Sequence, residues 1–388
     1  MGPILKVFVP RERHPGEARV AATPETVKRL IKEGLSVTVE AGAGEGAHLH
    51  DAQFEAAGAQ VGKEARALYG EADVVLKVSP PGAGEEEASW MKEGAVLISF
   101  LAPHKNLETV RRLRERRVTT LAMELVPRIT RAQKMDALSS QANIAGYKAV
   151  LLAAARLGKY FPLLMTAAGT VQPARVVVMG AGVAGLQALA TARRLGAVVE
   201  VSDIRPAVKE QVESLGGKFI DLPQFESGEG QGGYAREVSA EFLRKQREIV
   251  KARIAVADVV ITTAQVPGRS APKLVTEDMV EAMRPGSVIV DLAAEQGGNC
   301  ELTVPGEEVV RHGVAILGQL NLPATLPVDA SNLYARNVRE LARLLVKGGE
   351  QKLDLEDEIL SGMLLTHAGE VPHGPTAELL QKKEGAVA

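Results

Sequence analysis

The sequence predicts an α/β protein built from two doubly wound domains with parallel sheets, joined by long helices around a cleft. Three observations predict it. The 388 residues exceed what one hydrophobic core usually serves. Short β-branched runs alternate with stretches of helical period along nearly the whole chain. Those runs fall into two series, separated by one long helical stretch.

In the first series LKVFVP (5–10), SVTVEAG (36–42), DVVLKVS (73–79), AVLISFL (95–101) and VTTLAME (118–124) read as strands, with segments such as PETVKRLIKEGL as helices between them. Apolar residues at 135, 138, 142, 145, 149 and 152 keep helical spacing, which predicts a connecting helix from about Arg131 to Leu157. The second series is ARVVVMG (174–180), VVEVSD (198–203), DVVITTA (258–264), GSVIVDLA (286–293) and GVAILG (313–318). After Asn321 the pattern SNLYARNVRELARLLVKGG is helical and comes too late to extend the second sheet, so it is expected to return to the first domain. The expected domains are therefore 1–137 completed by 325–388, and 138–324. Two connections between the same domains make a hinge, and a cleft at a hinge is a common place for ligands. A glycine-rich segment over about 222–237 is longer than an ordinary connection and reads either as a lid or as a flexible surface insert.

Composition narrows the classes of function. Lys and Arg (46) nearly balance Asp and Glu (48), so no excess of positive charge drives binding to nucleic acid or an anionic lipid surface. Cys300, the single cysteine, has no partner for an intrachain disulfide, and the opening residues lack the order of a secretory signal; a cytoplasmic location is expected. Runs such as Ala149 to Ala155 and Val288 to Ala294 fall short of the ~20 residues that cross a bilayer. His48 and His50 are two apart but lack further ligands at metal spacing, and no metal is expected. The basic run RRLRERR (111–117) reads as a solvated helix face.

The strand ARVVVM runs directly into Gly180-Ala-Gly182-Val-Ala-Gly185, and a helical pattern follows. This is the Rossmann G-x-G-x-x-G arrangement in its required context. Gly180 permits the tight turn, Gly182 lets backbone approach a pyrophosphate, and Gly185 lets helix pack against strand. Asp203 ends the next strand, where a carboxylate accepts from both adenosine ribose hydroxyls and repels a 2′-phosphate. NAD(H) is thereby favoured over NADP(H), although Arg205 is of the type that accommodates a 2′-phosphate.

Beyond this motif, the whole chain resembles the NAD(H)-binding component of proton-translocating nicotinamide nucleotide transhydrogenases and, more distantly, alanine dehydrogenase. The opening VPRERHPGEARVAATPE, with Arg19 inside it, and the block from VVITTAQVPGRS to AAEQGGNCE are similar to both families. Three places separate them. Alanine dehydrogenases carry a catalytic lysine and histidine where this chain has Ser79 and Ala102, with His104 two residues beyond. The segment PRITRAQKMDALSSQANIAGY looks like the transhydrogenase segment known for its Arg, Gln and Asp. The resemblance implies that Arg128 and Asp136 position the nicotinamide end of NAD(H), that Gln133 reaches towards NADP(H) on a partner, and that Arg131 is nucleotide-binding. GGYARE (232–237) resembles that family's mobile loop, which makes Gly233 and Tyr234 cofactor-binding positions; Val183, Ile204, Gln246 and Gln265 join them by the same resemblance.

Hydride exchange between two nicotinamides changes the protonation of neither ring, so proximity and exclusion of water matter more than an acid or base. The resemblance implies partners for the remaining work: an NADP(H)-binding subunit and membrane-spanning subunits that move protons, with this chain a homodimer held peripherally at the inner (plasma) membrane through them. Two other readings stay open, an alanine or other amino-acid dehydrogenase and a non-catalytic NAD-binding module.

Overall fold

The computed structural model describes residues 5–82, 86–222, 240–265, 268–347, 350–351 and 353–385. Contacts divide the chain into two compact units: unit 1 is Met1–Gln141 with Pro323–Ala388, and unit 2 is Ala142–Leu322.

Unit 1 is built on β1 (Lys6–Val9), β2 (Ser36–Glu40), β3 (Gln60–Gly62), β4 (Val74–Leu76), β5 (Val96–Ser99) and β6 (Thr119–Ala122). They pair in parallel in the order β6-β5-β4-β1-β2-β3, and the strand Leu364–Thr366 adds antiparallel to β6. Val7 and Val9 face one core and Phe8 the other; Val96 and Ile98 share the first and Leu97 the second. Both faces are thus covered, which is why these strands read as continuous apolar runs rather than alternating ones. Tyr334, Val338 and Leu341 of the helix Pro327–Ala342 and Ile359 and Met363 of the helix Glu358–Met363 complete the first core.

Unit 2 takes in most of the helix Ala137–Arg156 and then a two-stranded hairpin, β7 (Leu164–Thr166) and β8 (Gly169–Val171). Its main sheet is β9 (Arg175–Met179), β10 (Val198–Ser202), β11 (Lys218–Phe219), β12 (Val259–Thr262), β13 (Val288–Asp291), β14 (Glu308–Arg311) and β15 (Val314–Leu317). The order is β11-β10-β9-β12-β13-β15-β14, all parallel except β14. Side chains again alternate between two cores, Val176 and Val178 into one, Val177 and Met179 into the other.

The two parallel-sheet α/β domains expected from the sequence are present, each sheet carrying one antiparallel strand at an edge. One element differs from the sequence reading. The connecting helix does not start at Arg131: a 3₁₀ helix spans Thr130–Met135 and the α-helix is Ala137–Arg156. Asp136 separates them, its carboxylate accepting from Ser139 N (2.9 Å) and Ser139 Oγ (2.6 Å). Asp satisfies an otherwise orphan first-turn amide in this way, which starts a helix rather than continuing one. Among the described residues no helix is long and apolar enough to cross a membrane.

Candidate functional site

In unit 2, β9 ends at Met179 and the helix Val183–Arg194 begins within four residues. Gly180 makes that turn possible with φ +108°, a conformation L side chains rarely adopt. Gly185 sits so tightly that a Cβ there would lie 1.8 Å from Gly180 O. At Gly182 the reverse holds, since a Cβ would meet nothing within 4 Å. Gly182 is the helix N-cap and offers no side chain to the first-turn amides, so their donors and the positive end of the helix dipole face an open approach. An anionic group such as a pyrophosphate fits there.

Asp203 follows β10 and ties to the glycine turn: its Oδ2 accepts from Ala181 N at 2.7 Å. The Arg205 amide donates to Oδ1 at 2.8 Å, and the Arg205 side chain forks onto the carboxylate, Nε to Oδ1 at 3.0 Å and Nη2 to Oδ2 at 2.9 Å. Burial alone would raise the pKa of Asp203; the hydrogen bonds from Arg205 and from Ala181 outweigh it and hold the carboxyl below the ordinary aspartate value. The group is an anion at neutral pH.

Two residues missed from the sequence brace the turn and the loop beside it. Thr263, after β12, donates through Oγ1 to Met179 O or Gly180 O, both 3.2 Å away. Asn299 clamps the same loop, accepting from Ala264 N (3.0 Å) and donating to Ala264 O and Pro272 O (2.8 Å each). The signal was their position: β12 is the parallel neighbour of β9, so whatever follows β12 lies beside the glycine turn. Beneath them the buried Asp291 accepts from Thr262 Oγ1, Thr303 Oγ1, Ala293 N and Cys300 N.

The other expected positions of unit 2 fall as follows. Val183 opens the helix after the glycine turn and is exposed, and Ile204, between Asp203 and Arg205, is 83% exposed. Gln265 is exposed after β12 and donates to Leu292 O at 2.7 Å. Gln246 is half-buried in the helix Ala240–Ile254. Gly233 and Tyr234 lie outside the described residues.

Arg128, Arg131, Gln133 and Asp136 belong to unit 1, on and around the 3₁₀ helix Thr130–Met135. Buried Ala132 and Met135 pin that helix to the core, and Asn337 Nδ2 donates to Lys134 O at 2.8 Å. Arg131 grips Asp357 with both Nη atoms (2.7 and 2.9 Å), while Asp357 caps the helix Glu358–Met363 through Ile359 N. Arg128 and Gln133 are exposed and, among the described residues, make no side-chain hydrogen bond. The firmly held backbone therefore displays two unengaged side chains. Because Asp136 caps the long helix, Asp136→Ala is expected to cost about 1 kcal/mol of stability in a denaturant melt, whereas Asp136→Asn keeps the cap and the midpoint.

The ends of β4 and β1 carry the remaining polar cluster of unit 1. Lys77 is fully buried between Glu12 and Glu87, 3.3 Å from each. Ser79 donates through Oγ to Glu17 at 3.0 Å, and Glu17 also takes Arg19 Nε and Nη2 at 2.8 and 2.7 Å. Ala102, in the loop after β5, has φ +41° and donates its amide to Glu124. His104 is half-buried, and burial together with Lys105 lowers its pKa.

Family models described as the N-terminal and C-terminal domains of alanine dehydrogenase/PNT match residues 8–145 and 149–374. The chain is 51% identical over 376 residues to the first part of the NAD(P) transhydrogenase alpha subunit of Rhodospirillum rubrum, covering 95% of this chain and 98% of that one. Among solved structures it is similar to a transhydrogenase from Sinorhizobium meliloti, with a TM-score of 0.86, 49% identity, and 94% and 99% of the two chains covered. An L-alanine dehydrogenase structure follows at a TM-score of 0.83 and 28% identity, with 97% and 99% covered.

Proposed function

The chain belongs to the alanine dehydrogenase/PNT family, with transhydrogenase alpha subunits among its relatives, and from that membership we propose that it is the NAD(H)-binding component of a proton-translocating transhydrogenase. The observation that carries this reading is the pairing of a built dinucleotide turn at Gly180–Gly185 with Ser79 and Ala102 where amino-acid oxidation needs a lysine and a histidine.

The chemistry supplied by a bound NADH is donation of a hydride from C4 of its nicotinamide, here to the nicotinamide of NADP+ on a partner subunit. The chain's own residues bind and orient. First-turn amides after Gly182 take the pyrophosphate, and Asp203 takes the adenosine ribose while its charge disfavours a 2′-phosphate. Thr263 keeps the turn in shape, and Asn299 holds the loop that carries Thr263. Val183, Ile204, Gln246, Gln265, Gly233 and Tyr234 are assigned to the same nucleotide. In unit 1, Arg128, Gln133 and Asp136 are assigned to the transfer step and Arg131 to the nucleotide, its pairing with Asp357 holding the segment in place. A homodimer, joined to membrane-spanning subunits that couple hydride transfer to proton movement, completes the proposal; it gives the chain a cytoplasmic, peripheral place at the membrane.

Reduction of an NAD+ analogue by NADH tests it, using the purified chain with a transhydrogenase NADP(H)-binding domain and a trace of NADP+. Turnover that needs both the partner and NADP+ is the expected result, with alanine oxidation at background. An NADH-binding chain that turns over only with alanine would overturn it.

A further inference from the structure

We propose that Arg205 is a built-in competitor for the adenosine ribose: its guanidinium occupies on Asp203 the two acceptor positions that a vicinal diol requires. The inference rests on the NAD(H) reading above and adds to it a residue that sets affinity and nucleotide choice.

A carboxylate offers about four lone-pair positions, two on each oxygen. On Asp203 all four are taken. Two go to backbone amides that belong to the turn itself, Ala181 N on Oδ2 and Arg205 N on Oδ1. The other two go to one side chain, Arg205 Nε on Oδ1 and Arg205 Nη2 on Oδ2. A ribose 2′,3′-diol makes the same demand, one hydroxyl to each oxygen, so guanidinium and diol have the same denticity towards the same group. They cannot both be satisfied.

The two sets of donors differ in what it takes to move them. The amides are fixed by the glycine turn and by the chain entering the 3₁₀ helix Pro206–Val208. The Arg205 side chain is 58% exposed, whereas that of Asp203 is 6% exposed. Withdrawal of the guanidinium into solvent therefore leaves the carboxylate oriented, still held by two amides, with one acceptor free on each oxygen. With its guanidinium exposed, the pair can open even though its geometry is bidentate, so the closed form competes without barring entry. The apparent dissociation constant rises by the inverse of the fraction withdrawn. For NADPH the balance is opposite: a 2′-phosphate cannot donate as the diol does, but a withdrawn Arg205 can pair with it. Arg205 thus loosens NADH and moderates the rejection of NADPH that Asp203 alone would impose.

NADH and NADPH fluorescence titrations of the full chain as wild type, Arg205→Gln, Asp203→Asn and the double variant provide the test. Arg205→Gln is expected to bind NADH about threefold to tenfold more tightly and to bind NADPH more weakly. On the Asp203→Asn background the same substitution is expected to leave NADH affinity nearly unchanged, because the uncharged amide keeps a single accepting oxygen and no longer holds guanidinium or diol at two points. Weaker or equal NADH binding by Arg205→Gln, or an affinity gain that persists without Asp203, overturns the inference while leaving the NAD(H) reading intact. Failure of all four proteins to bind NADH overturns that reading, and the inference with it.

Discussion

Replacing Lys77 with Met is expected to destabilise the protein by about 3–5 kcal/mol, because it removes the cation that two buried carboxylates share. Glu12 and Glu87 are almost fully buried, and although Arg13 also reaches Glu87 at 2.9 Å, Glu12 depends on Lys77 and on the amides of Val78 and Ser79. In a domain of this size such a loss lowers the thermal midpoint by roughly 10 °C. The pH dependence separates charge from packing. Burial already raises the pKa of Glu12 above the ordinary 4.5, with Lys77 the main opposing influence, so removing Lys77 raises it further. A carboxyl whose folded pKa is raised contributes stability fully below its unfolded pKa and loses it as pH rises through the folded one. Urea melts of the variant against wild type are therefore expected to show a small deficit in mild acid that grows towards neutral pH. A deficit equal at both would mean that lost packing, not stranded charge, is responsible.

The second large effect separates folding from nucleotide binding at two neighbouring glycines. Gly185→Ala would drive a methyl to 1.8 Å from Gly180 O, a backbone atom that cannot step aside without breaking the turn. Both stability and NADH binding are expected to fall, the first by about 1–3 kcal/mol. Gly182→Ala is different in kind. Its φ of −78° suits any residue and the added methyl meets no protein atom within 4 Å, so the thermal midpoint is expected to hold. The methyl does fill the approach to the first-turn amides, and NADH affinity is expected to drop by about tenfold to a hundredfold. Calorimetry and fluorescence titration of the two variants check this together. Unchanged NADH affinity in Gly182→Ala would place the nucleotide elsewhere.

The fold was legible where burial left a pattern. Strands covered on both faces, such as β9 and β12, stand out as unbroken β-branched runs. The short edge strands β3, β11 and Leu364–Thr366 carry no such run; they exist because a neighbouring edge offers unpaired amides, which is a property of the partner strand. Periodicity also overran the start of the connecting helix, since apolar spacing continues through Met135 while Asp136 resets the backbone. Near the candidate site the glycine turn and the place of Asp203 beside it were readable because each answers a local demand of the backbone. Thr263, Asn299 and the Glu12–Lys77–Glu87 cluster were not, because their meaning lies in partners 10 to 84 residues away. The grip of Arg205 on Asp203 was also hidden, although the two are near neighbours, for sequence does not say which way a flexible side chain turns.

Unit 1 is interrupted: its sheet is closed by Leu364–Thr366, and its core needs Tyr334, Val338, Leu341 and Met363. On a ribosome this reverses the usual order, in which the N-terminal domain folds first. Unit 2 has all its residues once Leu322 has been made, whereas unit 1 waits for those that follow. From Leu322 to the closing strand at Thr366 the wait is 44 residues, or roughly 2–9 s at about 5–20 residues per second. Until then the core that holds Val20, Ala21, Val27 and Leu30 is incomplete, so unit 1 is the part of the nascent chain most exposed to aggregation and to chaperones.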